Sequence, residues 1–303
     1  MKIINFDLKN PISIKEPIVA CIGYFDGLHL GHRALIKETL KRANFSNAKS
    51  CLITFNPAPI NLLKGKDFKH IESFKERLKK IEYFGFDYCI VLNFNDEMAN
   101  LSYQDFYQLV LKQFNLKYLI CGFDFHYGKD GLGNYETLCE IAKESFGVIK
   151  IDSVNYENEK VSSSRIRNAI AKGDLDLASA LLGYRYYLKG EVIHGNRLGR
   201  EIGFPTANLR ISNEVLLPED GVYFGYVEIS HEYKALISVG SNPTICEDDD
   251  KKIEVYIIDF NGILYGENIK VIFKEKMRDI IHFNSLEALA LQLKKDEQSA
   301  RAK

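Results

Sequence analysis

The strongest constraint on the fold is a regular alternation of two hydrophobic patterns across the first half of the chain. Short apolar runs typical of buried strands occur near 17–23, 50–55, 87–94, 116–122 and 147–151. Segments with apolar residues at helical spacing lie between them, near 32–44, 72–84, 102–114 and 135–146. Strands that alternate with helices predict a parallel sheet with helices on both faces. Ligands of such sheets bind beyond the carboxyl ends of the strands.

The hydrophobic pattern changes after residue 183. Strand-like segments now follow one another near 186–194, 206–211, 221–230, 233–240, 252–260 and 269–276. A long helical pattern returns only from Leu286 to Lys295. Serial strands closed by one helix predict a small antiparallel barrel. The segment 168–183 is predicted to be a helical linker, so we expect two domains, 1–183 and 184–303.

Composition excludes several classes of protein. The chain has 303 residues, which is more than one typical domain and agrees with a division in two. A net charge of −1 argues against a broad nucleic-acid surface. No apolar run approaches the length of a membrane span, and the first residues lack the apolar core of a signal peptide. We therefore expect a cytoplasmic protein that binds neither membranes nor nucleic acid.

The six cysteines contain no Cys-x-x-Cys pair. Several of them lie inside strand-like apolar runs, where cysteine acts as a small buried hydrophobe. Zinc and disulfides are therefore not expected, and a reducing compartment is the simplest setting.

The first strong strand-like run ends at a turn that contains two histidines. His29 and His32 form a His-x-Gly-His pattern directly before a helical segment. The free backbone N–H groups and the dipole of a helix N-terminus favour anions, phosphate above all. Gly31 would let the backbone approach such a ligand closely. The pattern favours phosphate chemistry, with a purely structural pair of histidines as the alternative.

A second candidate phosphate site lies in the predicted barrel. Gly195, Gly199 and Gly203 are spaced four residues apart in a loop that also carries basic side chains. Such a loop offers backbone amides that can cradle a phosphate. Thr206 and Asn208 follow two residues apart, so on a strand they point to one side. Their hydroxyl and amide oxygens are hard ligands suited to Mg²⁺.

The segment Phe25-Asp-Gly-Leu-His-Leu-Gly-His32 resembles the signature of the HxGH nucleotidyltransferases, in the subgroup of bacterial flavin adenylyltransferases. The resemblance implies a Rossmann-like domain in which the two histidines hold the triphosphate of ATP. It also implies ATP contacts for four further residues of this segment and its surroundings, namely Gly23, Phe25, Asp26 and Gly31.

The segment Val161-Ser-Ser-Ser-Arg-Ile-Arg167 resembles a second motif of the same superfamily. The resemblance implies that Ser162 and Ser163 contact phosphate and that Arg167 places a cation over the leaving pyrophosphate. Arginine suits this task because its planar fork offers several fixed donors.

The glycine-rich segment 121–134 resembles a loop that contributes to the nucleotide and flavin pocket of the family. Asp124, Phe125 and Tyr127 match the family pattern and are implied to bind flavin, whose flat ring suits aromatic faces. Two positions depart from the pattern. His126 stands where the family commonly has arginine, and Ala58 stands where it often has a second-position histidine. The histidine predicts a local charge that depends on pH, and the alanine puts the strength of adenylyl transfer in doubt.

The segment from Gly190 to Leu209 resembles the riboflavin kinase signature. The resemblance implies that Thr206 and Asn208 lie at Mg-ATP. It also implies that Glu254 is the base that accepts a proton from the terminal ribityl hydroxyl. Arg278 and the final helical segment match the flavin side of that family.

With the adenylyltransferase-like segments first and the kinase-like segment second, the chain resembles bacterial bifunctional riboflavin kinase/FAD synthetases. They imply that riboflavin is phosphorylated to FMN and that AMP is then transferred from ATP to FMN, giving FAD, with Mg²⁺ in both reactions. A monomer that acts on small molecules is expected. Two alternatives remain: an enzyme with another phosphate acceptor whose barrel only binds flavin, and a flavin-binding regulator that has lost adenylyl transfer.

Overall fold

A computed structural model describes residues 1–10, 12, 14–64, 68–195, 198–240 and 251–303. They form two units, of which the first contains Met1–Phe68 and Glu72–Ser162. The second contains Lys69–Ile71 and Ser163–Lys303. The division into catalytic domains after residue 183 stays a prediction.

A six-stranded sheet forms the centre of the first unit. Its strands are β1 (Lys2–Phe6), β2 (Ile14–Ile22), β3 (Lys49–Asn56), β4 (Tyr88–Asn93), β5 (Phe114–Gly122) and β6 (Gly147–Ile151). They are arranged in the order β1-β4-β3-β2-β5-β6, and every neighbouring pair is parallel. The predicted parallel sheet is confirmed.

Helices cover both faces of this sheet. They are α1 (Leu30–Phe45), α2 (Pro59–Lys64), α3 (Phe74–Tyr83), α4 (Asp96–Ala99), α5 (Tyr103–Leu109) and α6 (Tyr135–Ala142). Successive strand residues point to opposite faces, so Leu52 packs with Ile36 of α1 on one side. Its neighbour Ile53 belongs to a second core with Phe106 and Leu138. Both faces of the sheet are therefore buried.

Several features of the first unit differ from the sequence expectations, among them the short helices α2 and α4, which were not predicted. The edge strand β1 and the small hairpin of β7 (Asn155–Tyr156) and β8 (Glu159–Lys160) were not predicted. The predicted helix 102–114 is wrong in its second half, because the chain tightens into a 3₁₀ turn at Leu111–Gln113 and β5 begins at Phe114. Val110, Leu111 and Phe114 are apolar and buried, and their spacing suits a helix as well as the observed turn and strand, so hydrophobic spacing does not distinguish the two.

A closed antiparallel barrel forms the centre of the second unit. Its strands are β9 (Tyr187–Ile193), β10 (Thr206–Arg210), β11 (Gly221–Glu228), β12 (Glu232–Gly240), β13 (Lys252–Ile257) and β14 (Asn268–Arg278). The order around the barrel is β10-β13-β12-β11-β14-β9. The predicted barrel is confirmed.

The helices of the second unit are α7 (Ser163–Ala171), α8 (Leu175–Leu182), α9 (Leu198–Glu201) and α10 (Leu286–Arg301). The break between α7 and α8 occurs where Asp174 caps α8 by accepting the backbone N–H of Leu177. The final helix is longer than predicted, and its Ala300 packs against Phe224 and Leu236 of the barrel.

Four cysteines, Cys21, Cys51, Cys89 and Cys121, are buried in the sheet, as their apolar neighbours predict. Burial raises the pKa of the Cys21 and Cys89 thiols to about 12, so both stay protonated at neutral pH. Cys246 lies outside the described residues.

Candidate active sites

The turn between β2 and α1 has an unusual backbone. Phe25 and Leu28 adopt left-handed conformations with φ of 61° and 43°, and Gly27 has a φ of 79°. Left-handed backbone is costly for residues with a side chain and persists only where the surroundings enforce it. Such strain is typical of ligand sites, which agrees with a predicted anion site at the carboxyl end of β2.

His29 and His32 lie together at the start of α1. The His29 ring nitrogen Nδ1 accepts the backbone N–H of His32 at 3.3 Å, so His29 caps the helix. The two rings stack with centroids 3.6 Å apart. A Cβ atom at Gly31 would lie 3.1 Å from the His29 ring, which leaves no room for a larger side chain without movement. The sequence-predicted cluster of His29, Gly31 and His32 is therefore assembled.

The electrostatic setting of His32 keeps its ring neutral. Desolvation, followed by the charges of His29 and Arg77, holds the pKa of His32 well below its ordinary value of 6.5. Its Nδ1 atom is buried and has no hydrogen-bond partner within the described residues. Buried polar atoms in proteins are nearly always paired. This nitrogen is therefore a candidate contact for a bound ligand.

A set of buried polar side chains supports the turn, and sequence reasoning missed it. The Tyr24 carbonyl accepts hydrogen bonds from Arg77 Nη1 at 3.0 Å and from Thr54 Oγ1 at 3.1 Å. Glu72 Oε1 accepts the backbone N–H of Gly27 at 3.1 Å. These side chains come from β3, from α3 and from the residue before the α3 cap, so no local spacing in the sequence connects them to the turn.

Two other predicted ATP contacts in this turn are enclosed. Phe25 and Asp26 are both buried, and the Phe25 ring packs edge-on against His32 with centroids 5.1 Å apart. Gly23 donates its backbone N–H to Ile53 at 3.1 Å, and a Cβ atom there would meet the Phe25 ring. Ala58, the departure from the family pattern, is buried after β3.

The predicted flavin loop after β5 carries one exposed and two packed residues. Asp124 is exposed and pairs with Lys160 at 3.4 Å. Phe125 and Tyr127 stack with centroids 5.5 Å apart. Tyr127 is only 6% exposed and belongs to the core with Phe106. Phe125 therefore packs against the core through Tyr127. A direct flavin contact of any of these residues stays a prediction.

The division between the two units runs through the Val161–Arg167 motif. Ser162 ends the first unit, and Ser163 and Arg167 lie on α7 of the second. Arg167 donates a hydrogen bond from Nη2 to the Ser164 hydroxyl at 3.2 Å. Their action on phosphate beside His29 stays a prediction.

The barrel brings three predicted residues onto one face. Asn208 of β10 lies directly opposite Glu254 of β13, and opposite residues of an antiparallel pair share a face. The Thr206 hydroxyl donates a hydrogen bond to Glu254 Oε2 at 3.3 Å. The hydroxyl, the amide and the carboxylate that the sequence predicts are therefore adjacent.

The three predicted glycines of the barrel loop are needed for different structural reasons, two for lack of space and one for its backbone conformation. A Cβ atom at Gly195 would lie 2.2 Å from the Asn208 amide nitrogen, and one at Gly199 would lie 2.2 Å from the Phe204 carbonyl oxygen. Gly203 has a φ of 83°, which disfavours other residues. The loop thus approaches the Asn208 side chain as closely as glycine permits.

A cavity of about 80 Å³, lined by both polar and apolar groups, opens beside Thr206 in the barrel unit. Arg200 and Tyr265 both line it, and Arg200 Nη2 donates to the Tyr265 hydroxyl at 3.0 Å. The His194 ring stacks on Tyr265 with centroids 3.9 Å apart. Arg200 is one of the basic side chains of the glycine loop, but sequence reasoning did not single out His194 or Tyr265, because Tyr265 comes from the loop after β13, far along the chain.

Arg278 is already engaged by an acidic partner. Its guanidinium contacts both carboxylate oxygens of Asp296, with Nη2 2.8 Å from Oδ2. Asp296 lies on α10 and is 5% exposed, so the pair anchors the final helix to the barrel. The predicted flavin contact of Arg278 stays a prediction.

Two family models match the chain. The FAD synthetase model matches residues 12–165, and the riboflavin kinase model matches residues 182–303. These matches place the His-x-Gly-His turn in the first family and the Thr206–Glu254 face in the second.

Curated relatives match almost the full length. The bifunctional riboflavin kinase/FMN adenylyltransferase of Listeria monocytogenes is 38% identical over 287 residues, covering 94% of this chain and 91% of the relative. The protein of the same name from Bacillus subtilis is 36% identical, with 93% and 91% covered. That of Escherichia coli is 32% identical, with 95% and 93% covered.

A solved structure described as a macrolide-efflux protein from Streptococcus pneumoniae has a TM-score of 0.89 and 36% sequence identity, covering 99% of this chain and 98% of that one. Among the residues described here, none of the helices combines the length and apolar character needed to cross a membrane. The two family models and the near full-length relatives agree on the enzyme class. The chain therefore belongs to the family of bifunctional riboflavin kinase/FMN adenylyltransferases, enzymes with an FAD synthetase domain followed by a riboflavin kinase domain.

Proposed function

We propose that the barrel unit transfers the γ-phosphoryl group of ATP to riboflavin, and that the first unit transfers AMP from a second ATP to the FMN so formed. The observation that carries this proposal is the contact between Thr206 and Glu254 beside Asn208, in a chain that separately stacks His29 on His32. One chain thus contains two different sets of groups suited to phosphate.

In the kinase step, Glu254 accepts the proton of the terminal ribityl hydroxyl. The hydroxyl oxygen then bonds to the γ-phosphorus while the bond from that phosphorus to ADP breaks. A positioned carboxylate is what such a proton transfer needs. The Thr206 hydroxyl, 3.3 Å from Glu254, orients the carboxylate. The cavity lined by Arg200 and Tyr265, which combines apolar walls with polar groups, is the proposed place for part of the nucleotide.

Mg²⁺ belongs to this proposal. The Thr206 hydroxyl and the Asn208 amide are hard oxygen donors adjacent to a carboxylate, which fits a site for Mg²⁺ completed by phosphate oxygens. Bound Mg²⁺ offsets the charge of the triphosphate in both reactions. The described residues contain no cluster of three or more His, Cys, Asp or Glu side chains that would hold a metal by itself.

In the adenylyl step, an oxygen of the FMN phosphate bonds to the α-phosphorus of ATP and pyrophosphate leaves. No covalent enzyme intermediate is required, so the protein acts by alignment and by stabilising charge. His29 and His32 hold the triphosphate, and the roles of Ser162, Ser163 and Arg167 as phosphate contacts rest on the resemblance of their motif alone. The unpaired Nδ1 atom of His32 supports this role.

Flavin is proposed to bind at two places. In the first unit, Phe125, which stacks on the buried Tyr127, offers an aromatic face beside Asp124 for the isoalloxazine ring. In the second unit, flavin is proposed to bind beside Arg278, whose ion pair with Asp296 holds α10 against the barrel.

The proposal extends to the working form of the chain. We infer a monomer that acts in the cytoplasm on small molecules and uses neither membranes nor nucleic acid. Light scattering during size-exclusion chromatography, with and without flavin and ATP, measures the oligomeric state directly. A mass near twice the 34.7 kDa of the chain would replace the monomer by a dimer.

The decisive experiment incubates the chain with riboflavin, ATP and Mg²⁺ and separates the flavins by chromatography. FMN and then FAD should appear. Absence of FMN would favour the enzyme with another phosphate acceptor. FMN that is not converted, including FMN added directly with ATP, would favour the regulator that has lost adenylyl transfer.

Two variants separate the reactions. Glu254→Gln should lower FMN formation by about 10²–10⁴-fold and leave FAD formation from added FMN unchanged. Glu228→Gln, an exposed barrel carboxylate paired with Lys270, is the matched control and should change neither reaction. His29→Ala should lower FAD formation and spare FMN formation. A joint loss of both activities in either site variant, at unchanged stability, would contradict separate sites.

A further inference from the structure

Arg77 is a buried arginine that contacts the turn between β2 and α1, the turn that leads to His29 and His32. It lies on α3 and is 1% exposed. Its guanidinium donates to the Tyr24 carbonyl at 3.0 Å and lies 3.9 Å from the centroid of the Tyr24 ring. The Phe74 ring lies on the same guanidinium at 5.1 Å. Arg77 is thus held by two aromatic faces and one peptide carbonyl.

The charge of Arg77 is not neutralised by an acidic partner. Within the described part of the chain, no carboxylate lies within 4 Å of its guanidinium, and its Nε atom has no hydrogen-bond partner. The nearby Glu72 carboxylate has its own cation, because Lys80 Nζ lies 2.6 Å from it. Burying a cation without a counterion is costly. Arg77 is therefore a buried cation close enough to act on His32, whose pKa its charge helps to lower.

Arg77 and Glu72 hold opposite ends of the strained turn. Arg77 fixes the carbonyl of Tyr24 before the left-handed Phe25, and Glu72 fixes the N–H of Gly27 two residues later. Both peptide groups would lose their partners if the turn relaxed. A strained backbone persists only when the surrounding structure determines it.

We propose that Arg77 and Glu72 are positioning residues for adenylyl transfer, holding the turn that presents His29 and His32 to the triphosphate, while Arg77 also contributes a buried positive charge. This inference rests on the adenylyl transfer proposed above. Neither side chain reacts. Arg77 acts through its hydrogen bond to the Tyr24 carbonyl and through the positive charge of its guanidinium. Glu72 acts through its hydrogen bond with the Gly27 N–H.

The test measures FAD formation from FMN over a range of ATP concentrations in Arg77→Met and Arg77→Lys. The methionine removes the charge and the hydrogen bond, so the KM for ATP should rise at least about tenfold and kcat should fall, with the KM for FMN within about twofold. The lysine returns the charge without the planar fork. It should restore the KM for ATP to within about threefold of the unmodified chain while kcat stays low.

Arg42→Met is the matched control. Arg42 also lies over an aromatic ring, that of Tyr118 at 5.1 Å, and pairs with Glu38, but it is ten residues along α1 from His32, or about 15 Å. It should change the KM for ATP less than twofold. FMN formation from riboflavin in the same samples reports the integrity of the rest of the chain and should not change in any variant.

A lysine variant no better than the methionine variant in its KM for ATP would overturn the electrostatic role. Equal effects of Arg77→Met and Arg42→Met would overturn the positioning role. If Arg77→Met unfolds at the assay temperature, Arg77→Lys decides alone, because an unchanged kcat would refute positioning. Failure of the proposed function is distinct, since the unmodified chain would then form no FAD from FMN and ATP.

Discussion

A methyl group added at Gly195 tests whether the glycine loop of the barrel sets the position of the Asn208 amide. A Cβ atom at Gly195 would lie 2.2 Å from Nδ2 of Asn208, whereas ordinary van der Waals contact begins at 3.4 Å. The amide must therefore move by about 1 Å unless the loop moves instead. A misplacement of about 1 Å in an active site can cost about 100-fold in rate, which is about 2.7 kcal/mol of transition-state stabilisation.

FMN formation from riboflavin is the assay for this perturbation. Gly195→Ala should lower its kcat/KM about 100-fold and leave FAD formation from added FMN unchanged. In an Asn208→Ala background the new methyl group meets no amide, so the same substitution should add little further loss. FMN formation within threefold of the unmodified chain would refute the reasoning. A full additional loss in the Asn208→Ala background would refute it as well.

Two further predictions concern stability. The folded pKa of His32 lies below its ordinary value of 6.5, so the folded state binds fewer protons and loses stability as the pH falls through 6.5 toward the folded pKa. Thermal melts at pH 7.5 and 5.5 should show this loss in the unmodified chain and less of it in His32→Gln; an equal loss in both would contradict the assignment. Arg278→Met leaves the Asp296 carboxylate without its cation and should lower the free energy of unfolding in urea by about 3 kcal/mol. Lys274→Met, which breaks an exposed pair, should cost about 0.5 kcal/mol, and similar values for the two would contradict the anchoring role.

Most of the fold was predictable because hydrophobic period is a local property of the chain. The runs that became β2 to β6 and β9 to β14 each bury one or both faces, and their spacing in the sequence already differs from that of the helices. The edge strand β1 was missed because only Ile4 and Phe6 of its five residues are buried. The helix predicted through residue 114 was wrong for the opposite reason, since Val110 and Leu111 are apolar and buried although the helix ends at Leu109.

The candidate sites were predictable only where the chemistry is contiguous in sequence. The cluster of His29, Gly31 and His32 lies within one turn of helix, so its assembly follows from local geometry. The pairing of Asn208 with Glu254 joins residues on two strands far apart in the chain, and without the resemblance to a known family nothing local connects them.

The sequence by itself determined the order of the two folds and the two short motifs proposed to contact phosphate, because each depends on residues a few positions apart. Only the tertiary structure decided that Arg77 and Glu72 hold the turn and that Asp296 engages Arg278. Burial is what gives these contacts their strength, since a charge or a peptide group removed from water must find its partner in the protein. Which partner it finds depends on how distant segments pack, and no spacing along the chain records that.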